Sequence, residues 1–206
     1  MDAPDPFQSA PDETHTEIMH ATYAALRKHG YADLTIQRIG AEFPKSKSLI
    51  YQHYDGKDEL LVAFLEFLLE RLEADVPTDG FSDAREHLQE LLDHSLPESP
   101  ESDHTEFMST VTELRAQAAH DDAYREQFTR TDDFFREHIA DIVRRGIEQG
   151  VFRDVNPEQT AAFIATTIYG AQNQRATTNS DDPILAARRE LEEYVRIRLS
   201  AAESET

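Results

Sequence analysis

The segment Lys45–Lys57 reads KSKSLIYQHYDGK. It holds three of the four lysines of a 206-residue chain, and the fourth, Lys28, lies just upstream. The chain as a whole is acidic: 41 Asp and Glu against 20 Lys and Arg give a formal charge of −21. Between residues 27 and 57 the balance reverses. Six bases (Arg27, Lys28, Arg38, Lys45, Lys47, Lys57) face three acids (Asp33, Glu42, Asp55). A basic island in an acidic chain suits a polyanion, because phosphate contact needs nearby Lys and Arg whatever the global charge. Charge alone leaves open that the cluster is a solvated face.

The pattern around the island carries more. Residues 14–29 read as a helix with Ile18, Thr22, Ala25 and Leu26 on one side, and His29-Gly30 is a stop signal. Thr35 suits the N-cap of a short helix, IQRIGAEF, with Ile36, Ile39 and Phe43 inward. Pro44 ends it. Ser46 caps a second short helix, KSLIYQH, whose apolar side is Ile50 and Tyr54. Two short helices joined by a few residues, the second basic and rich in hydroxyls, make a helix-turn-helix layout.

These residues carry a resemblance. The elements HGY (29–31), LTIQRIG (34–40) and SKSLIYQHYDGKDELL (46–61) resemble the DNA-binding domain of the TetR family of one-component transcriptional regulators, over residues 20–66. Ser46, Lys47, Ile50, Tyr51, His53, Tyr54, Lys57, Glu59, Leu60 and Leu61 fit the family pattern without a gap. Pro44 stands where the family usually has a turn glycine, Lys45 where it has a small aliphatic, and Gly40 where it has alanine. The resemblance implies a recognition helix beginning near Lys45 and a DNA-facing set of Thr35, Gln37, Lys45, Ser46, Lys47, Ser48, Leu49, Tyr51, Gln52, His53 and Lys57. Tyr51, His53 and Lys57 would take backbone phosphate or sugar edges. Lys47, Ser48, Leu49 and Gln52 would read base edges, since Gln suits adenine, Lys suits guanine and an apolar tip suits the thymine methyl.

Downstream, helical patterns follow at about 58–75, 82–96, 104–119, 121–149, 157–177 and 183–201, with no convincing strand and no repeat. Gly150 stops the longest, and Asn156-Pro157 starts the next. The reading is therefore all-α, about nine helices: a helix-turn-helix domain over 12–56 and a larger ligand-binding and dimerisation domain over 57–206. In the helix at 157–177, Ala161, Ile164, Ile168 and Ala171 form one apolar stripe, while Phe163, Thr167 and Gly170 form a second. Ile184, Leu191 and Val195 continue a stripe on the last helix. A helix apolar on two sides is buried from two directions. The resemblance implies a homodimer sealed by these two helices, with Ala161, Ile164, Ile168, Ile184, Leu191 and Val195 at the interface. A monomer with a thick core is the alternative. The middle helices would then enclose a pocket for a small-molecule inducer. Its candidate lining is Phe64, Phe67, Leu91, Met108, Val111, Tyr124, Phe128, Phe135 and Phe163, each of which also suits ordinary core.

Composition excludes other chemistry. There is no cysteine, so no disulfide, thiolate zinc site or cysteine nucleophile exists in this sequence. No glycine-rich phosphate loop, G-x-S-x-G or H-E-x-x-H occurs. The nine histidines suggest solvated side chains, with no metal and no cofactor expected. The opening MDAPDPFQSAPDE is acidic and lacks an apolar run, and no 18-residue apolar stretch follows, which points to a cytoplasmic protein without a membrane partner. Acid excess with so little lysine fits either an acidic tail or a surface adapted to concentrated salt. Its spread over helical patterns favours the second. Together these features indicate a ligand-responsive repressor that binds double-stranded DNA, with no catalytic residues. An all-helical enzyme, a helical interaction module that has lost DNA binding and a regulator without an inducer are the alternatives.

Overall fold

The computed structural model describes residues 13–78 and 80–201, so the acidic opening segment read above lies outside it up to residue 12. The described residues form nine α-helices. These are α1 (Glu13–His29), α2 (Ile36–Glu42), α3 (Ile50–His53), α4 (Lys57–Ala74), α5 (Ala84–Ser95), α6 (Ser102–Gln117), α7 (Asp122–Glu148), α8 (Pro157–Thr177) and α9 (Asp182–Tyr194). A 3-10 turn, Lys47–Leu49, leads into α3, and a π turn, Val195–Leu199, closes α9. The all-α expectation, with about nine helices, holds.

Local chemistry sets the helix ends. Gly30 and Gly150 follow α1 and α7 with φ of 70° and 71°, a left-handed conformation that glycine adopts without a Cβ clash. Thr35 caps α2 by accepting from the Arg38 amide at 3.2 Å. Asn156 caps α8 by accepting from the Gln159 amide at 2.8 Å, and Pro157 occupies the first turn, where its missing N–H costs nothing.

The chain packs as two compact units. One takes the chain up to Ala74 together with Thr110–Phe128. The other takes Asp75–Ser109 together with the chain from Thr129 onward. This division does not fall at the 56/57 boundary read from the sequence. The reason is packing: α4 buries Leu60, Leu61, Phe64, Leu65, Leu68 and Leu69 in the first unit, and α1 packs on both α2 and α4. Val111, Leu114, Tyr124 and Phe128 are buried parts of that unit too. Each fully buried aliphatic contributes about 1.5–3 kcal/mol.

The second unit has its own core. Leu88, Leu91 and Leu92 of α5 meet Ile139, Ile142 and Val143 of α7, Ala161, Ile164 and Ile168 of α8, and Ile184 and Leu191 of α9. Phe152 also enters this core, and its ring lies so close to Gly146 that a Cβ there would sit 2.0 Å from a ring carbon. An antiparallel bridge joins Phe152 to Ser200, with the Arg153 amide donating to the Leu199 carbonyl at 2.8 Å. The helical periodicity carried no sign of this clasp.

Buried histidine is the other feature the sequence hid. His87 is 2 % exposed and stacks on Phe81 at 4.4 Å. Its Nε2 donates to the Pro77 carbonyl at 2.6 Å, so its Nδ1 is the acceptor facing the Arg145 guanidinium. His138 donates to the same carbonyl at 3.2 Å. Burial, with His87 alongside, holds the His138 pKa below the ordinary histidine value.

Candidate nucleic-acid interface

The surface built around α2, the 3-10 turn and α3 gathers most of the residues expected to face DNA. The turn forms because Ser46 stays extended, at φ −66° and ψ 130°, and its hydroxyl accepts from the Ser48 amide at 3.4 Å. The two hydroxyls, Ser46 Oγ and Ser48 Oγ, are 2.8 Å apart. Ile50 is fully buried and Tyr54 nearly so, which pins the apolar side of α3 inward. The opposite side is thereby turned out. Lys47, Ser48, Gln52 and His53 are exposed, Leu49 is half-buried, and Tyr51 is 53 % exposed despite its aromatic ring. A large, exposed tyrosine beside lysine and hydroxyls matches a phosphate-and-groove surface rather than a core. Thr35 and Gln37 are exposed at the start of α2 and line an open cleft of about 440 Å³ with Lys28, His29 and Arg38.

Other members of the basic island are engaged within the protein. Lys45 pairs with Glu17 of α1 at 2.6 Å. Lys28 pairs with Glu42 at 2.6 Å, and that contact holds the Glu42 carboxyl below the usual carboxylate range. Arg38 faces Asp33 at 3.7 Å and also donates to its carbonyl. Lys57 lies with its Nζ 5.0 Å over the Tyr31 ring and 3.4 Å from the Tyr31 carbonyl. Part of the charge that drew attention in the sequence therefore ties α1, α2 and α4 together.

Tyr31 is a junction in this unit. Besides Lys57, its amide donates to Glu113 Oε1 of α6 at 2.8 Å, and its ring meets Tyr124 of α7 edge-on at 6.4 Å. These partners lie 82 and 93 residues away in the chain, and the sequence reading assigned Tyr31 no role. Burial, then Tyr31, raises the Tyr124 pKa.

Gly40 explains one departure in the motif. A Cβ at this position would come within 2.8 Å of Lys47 Cγ and Cδ, so the bare glycine leaves room for the Lys47 stem to cross α2.

The residues expected to line a ligand pocket are divided. Phe64, Phe67, Val111, Tyr124 and Phe128 belong to the first unit, and Leu91, Met108, Phe135 and Phe163 to the second. Phe128 carries the Arg115 guanidinium over its face at 4.3 Å, Phe67 meets His15 at 6.0 Å, and Phe135 meets Tyr169 edge-on at 6.3 Å. Of the nine, Met108 borders a small enclosed cavity in the second unit.

The dimer residues need a correction of place. Ala161, Ile164, Ile168, Ile184 and Leu191 are buried in the chain's own core, and Val195 packs half-buried against it. The periodic stripe was read correctly as buried, but α8 meets α5, α7 and α9 of the same chain there. The second stripe is the outward one: Phe163 is 48 % exposed, beside Tyr194 at a ring distance of 4.7 Å, and Gly170 is exposed.

Comparison with known proteins agrees with this architecture. Residues 18–64 match the family model described as bacterial regulatory proteins, tetR family. Residues 84–200 match the model for the C-terminal part of BetI-type transcriptional repressors. A helix-turn-helix-type transcriptional repressor of Streptomyces coelicolor is 31 % identical over 154 residues, covering 75 % of each chain. The crystal structure of a TetR transcription regulator from Haloarcula marismortui superposes with a TM-score of 0.82 at 36 % identity, covering 91 % of this chain and 99 % of that one. A transcriptional regulator from Saccharomonospora viridis, crystallised in complex with choline, shares the fold at a TM-score of 0.76 and 23 % identity, over 92 % of this chain and 99 % of that one.

Proposed function

The chain belongs to the TetR family and is a helix-turn-helix transcriptional repressor, and from that premise we propose that it grips a palindromic operator as a homodimer and releases it when a small molecule binds. The observation that carries the DNA reading is the outward face of the turn and α3, where Lys47, Ser48, Tyr51, Gln52 and His53 stand exposed on a buried Ile50–Tyr54 anchor. In this proposal Lys47, Ser48, Leu49 and Gln52 read base edges, and Thr35, Gln37, Ser46, Tyr51 and His53 take phosphate or sugar. Lys45 and Lys57 brace the frame through Glu17 and Tyr31, and reach phosphate only by leaving those partners.

One such face reads one half-site, and a two-fold dimer supplies two faces about one helical turn apart or a multiple of it. We assign the dimer seam to the outward stripe of α8, Phe163, Thr167 and Gly170, continued by exposed Ile197 after α9. The absence of a side chain at Gly170 favours close approach of two helices. Small-molecule control is supported at the level of fold by the choline-bound neighbour. It requires a ligand that prefers the conformer unable to bind DNA.

The test uses duplexes from the DNA upstream of the chain's own gene. Fluorescence anisotropy is expected to show saturable binding, at two chains per duplex, that unlabelled random DNA does not compete away at equal concentration. Sedimentation is expected at twice the chain mass, falling to the chain mass in Phe163→Glu. Binding by a monomer, or no discrimination from random DNA, overturns the reading.

A further inference from the structure

The enclosed cavity beside Met108 lies in the second unit, among α5, α6 and α8. Ser95, His104, Thr105, Met108, Gln172 and Arg175 line it, and its volume is about 10 Å³, room for roughly one water-sized body. What sets it apart is Arg175. Its side chain is only 9 % exposed, and its Nε lies 3.3 Å from the Asp181 carboxylate. Its Nη2 is buried and has no hydrogen-bond partner. A guanidinium is a donor only and keeps its charge at any working pH. A buried charged N–H without an acceptor is unfavourable, so this one marks a place for an acceptor.

The rest of the lining narrows the choice of occupant. Gln172 is fixed by its amide donating to the Ser95 carbonyl at 3.0 Å. The Thr105 hydroxyl is committed to the Glu101 carbonyl at 3.2 Å. Burial first, then His94, holds the His104 pKa below its ordinary value, so the imidazole is neutral at neutral pH and keeps one N–H to offer. Asp181 satisfies one edge of the guanidinium from a position more than half exposed, which leaves the inner end for a guest. Met108 forms an apolar wall from an unbranched side chain that can shift. Neither a carboxylate nor a Phe, Tyr or Trp ring is among its lining residues, so the lining does not favour a cation.

We propose that Arg175, assisted by His104, seats a small monovalent anion of carboxylate size, and that such an anion is the head of the effector that controls DNA binding. The second half of this proposal rests on the ligand-responsive reading above; the first half does not. A halide and the carboxylate of a short organic acid share the required chemistry: one negative charge, compact, and accepting from Nη2. Bromide or a carboxylate is larger than one water and enters with a shift of the flexible Met108 side chain, and a chain attached to the carboxylate would displace it further.

Bromide, acetate and butyrate are the probes, on the full-length protein at fixed ionic strength. Crystals in bromide are expected to show an anomalous peak within hydrogen-bond distance of Arg175 Nη2, and acetate is expected to displace it. Displacement by butyrate as well marks an organic acid as the natural guest, whereas exclusion of butyrate marks a free small anion. In solution, calorimetric dissociation constants are expected to rise at least tenfold in Arg175→Gln. The crystal experiment on the unaltered chain stands even where that variant folds poorly. Water alone in the cavity at molar bromide, or unchanged constants in the variant, overturns the site. Bound anion with no change in operator affinity leaves the site standing and overturns its role in control.

Discussion

Substituting Gly40 by alanine separates the fold from the function at one atom. In the middle of a helix, alanine is favoured over glycine by about 1 kcal/mol, so α2 gains. The new Cβ, however, would lie 2.8 Å from Lys47 Cγ and Cδ and 3.3 Å from its Cβ. Non-bonded carbons settle near 3.5–4.0 Å, so the lysine stem must retreat by roughly 1 Å. The clashing atoms belong to a flexible, exposed side chain, and rotating it costs about 0.5–1.5 kcal/mol. The two terms nearly cancel. The melting temperature is expected to stay within about 4 °C of the parent, since 1 kcal/mol shifts a domain of this size by about 2–4 °C. Operator affinity is expected to respond differently, because the change displaces the lysine proposed above to read a base edge. A lost base-edge contact is worth about 1–3 kcal/mol, a weakening of about 5- to 150-fold. The assay is fluorescence anisotropy on four proteins: parent, Gly40→Ala, Lys47→Ala and the double variant. Acting through one lysine, the two changes must be non-additive, and Gly40→Ala should do nothing further once Lys47 is gone. Unchanged affinity in Gly40→Ala, or equal losses in both backgrounds, would falsify the placement of Lys47 as a DNA contact held by the glycine.

Three further outcomes are expected. Tyr51→Ala and Lys47→Ala should each weaken operator binding, by about 5- to 150-fold for the lysine, while sedimentation still shows the dimer, because neither touches the core; parent-like affinity in both refutes the recognition surface. Stability should fall as pH drops from 7 to 5. Burial keeps protons off His138 and His104 in the folded state, so the unfolded chain binds more protons as pH passes through the ordinary histidine range near 6.5. His138→Gln, which keeps a donor for the Pro77 carbonyl, should flatten that slope in melting curves, and an unaltered slope removes His138 as a cause. The depressed carboxyls of Glu42, Glu158 and Glu193 act lower, losing their contribution only as pH falls below the ordinary carboxylate range. With a charge of −21, melting temperature should rise as potassium chloride goes from dilute to molar, where the Debye length is about 3 Å. Operator affinity should decline with a log–log slope shallower than the roughly −5 of six phosphate contacts, and a steep loss from a protein most stable in dilute buffer refutes this.

Much of the fold was legible because helices announce themselves locally. Thr35, Ser46 and Asn156 are short polar caps, Gly30 and Gly150 are stops, and the apolar spacing between them is helical; each acts within a turn or two of itself. The exposed face of the turn and α3 was legible for the same reason, since its residues are nearly contiguous. What periodicity does not encode is which surface covers a stripe. Ile164 and Ile168 were rightly read as buried, but the pattern is the same whether the cover comes from this chain or another copy. Pairings across long separations were equally silent. Nothing near Lys45 points to Glu17, nothing near Tyr31 points to Glu113, and an arginine at 175 reads as one more solvated charge until α5 and α6 close over it.

The Tyr31 junction bears on how such a repressor can be recombined. Cutting and splicing just after the recognition helix, at 56/57, looks natural from the linear motif. The graft would then carry Tyr31 away from its α4 lysine and from Glu113 and Tyr124, leaving a backbone amide without its acceptor and a half-buried ring without its neighbour. A chimera that keeps residues 1–74 and 110–128 from a single parent preserves all three contacts. The transferable piece of this molecule is therefore discontinuous: a reader of DNA together with the distant strip of helix it was shaped against.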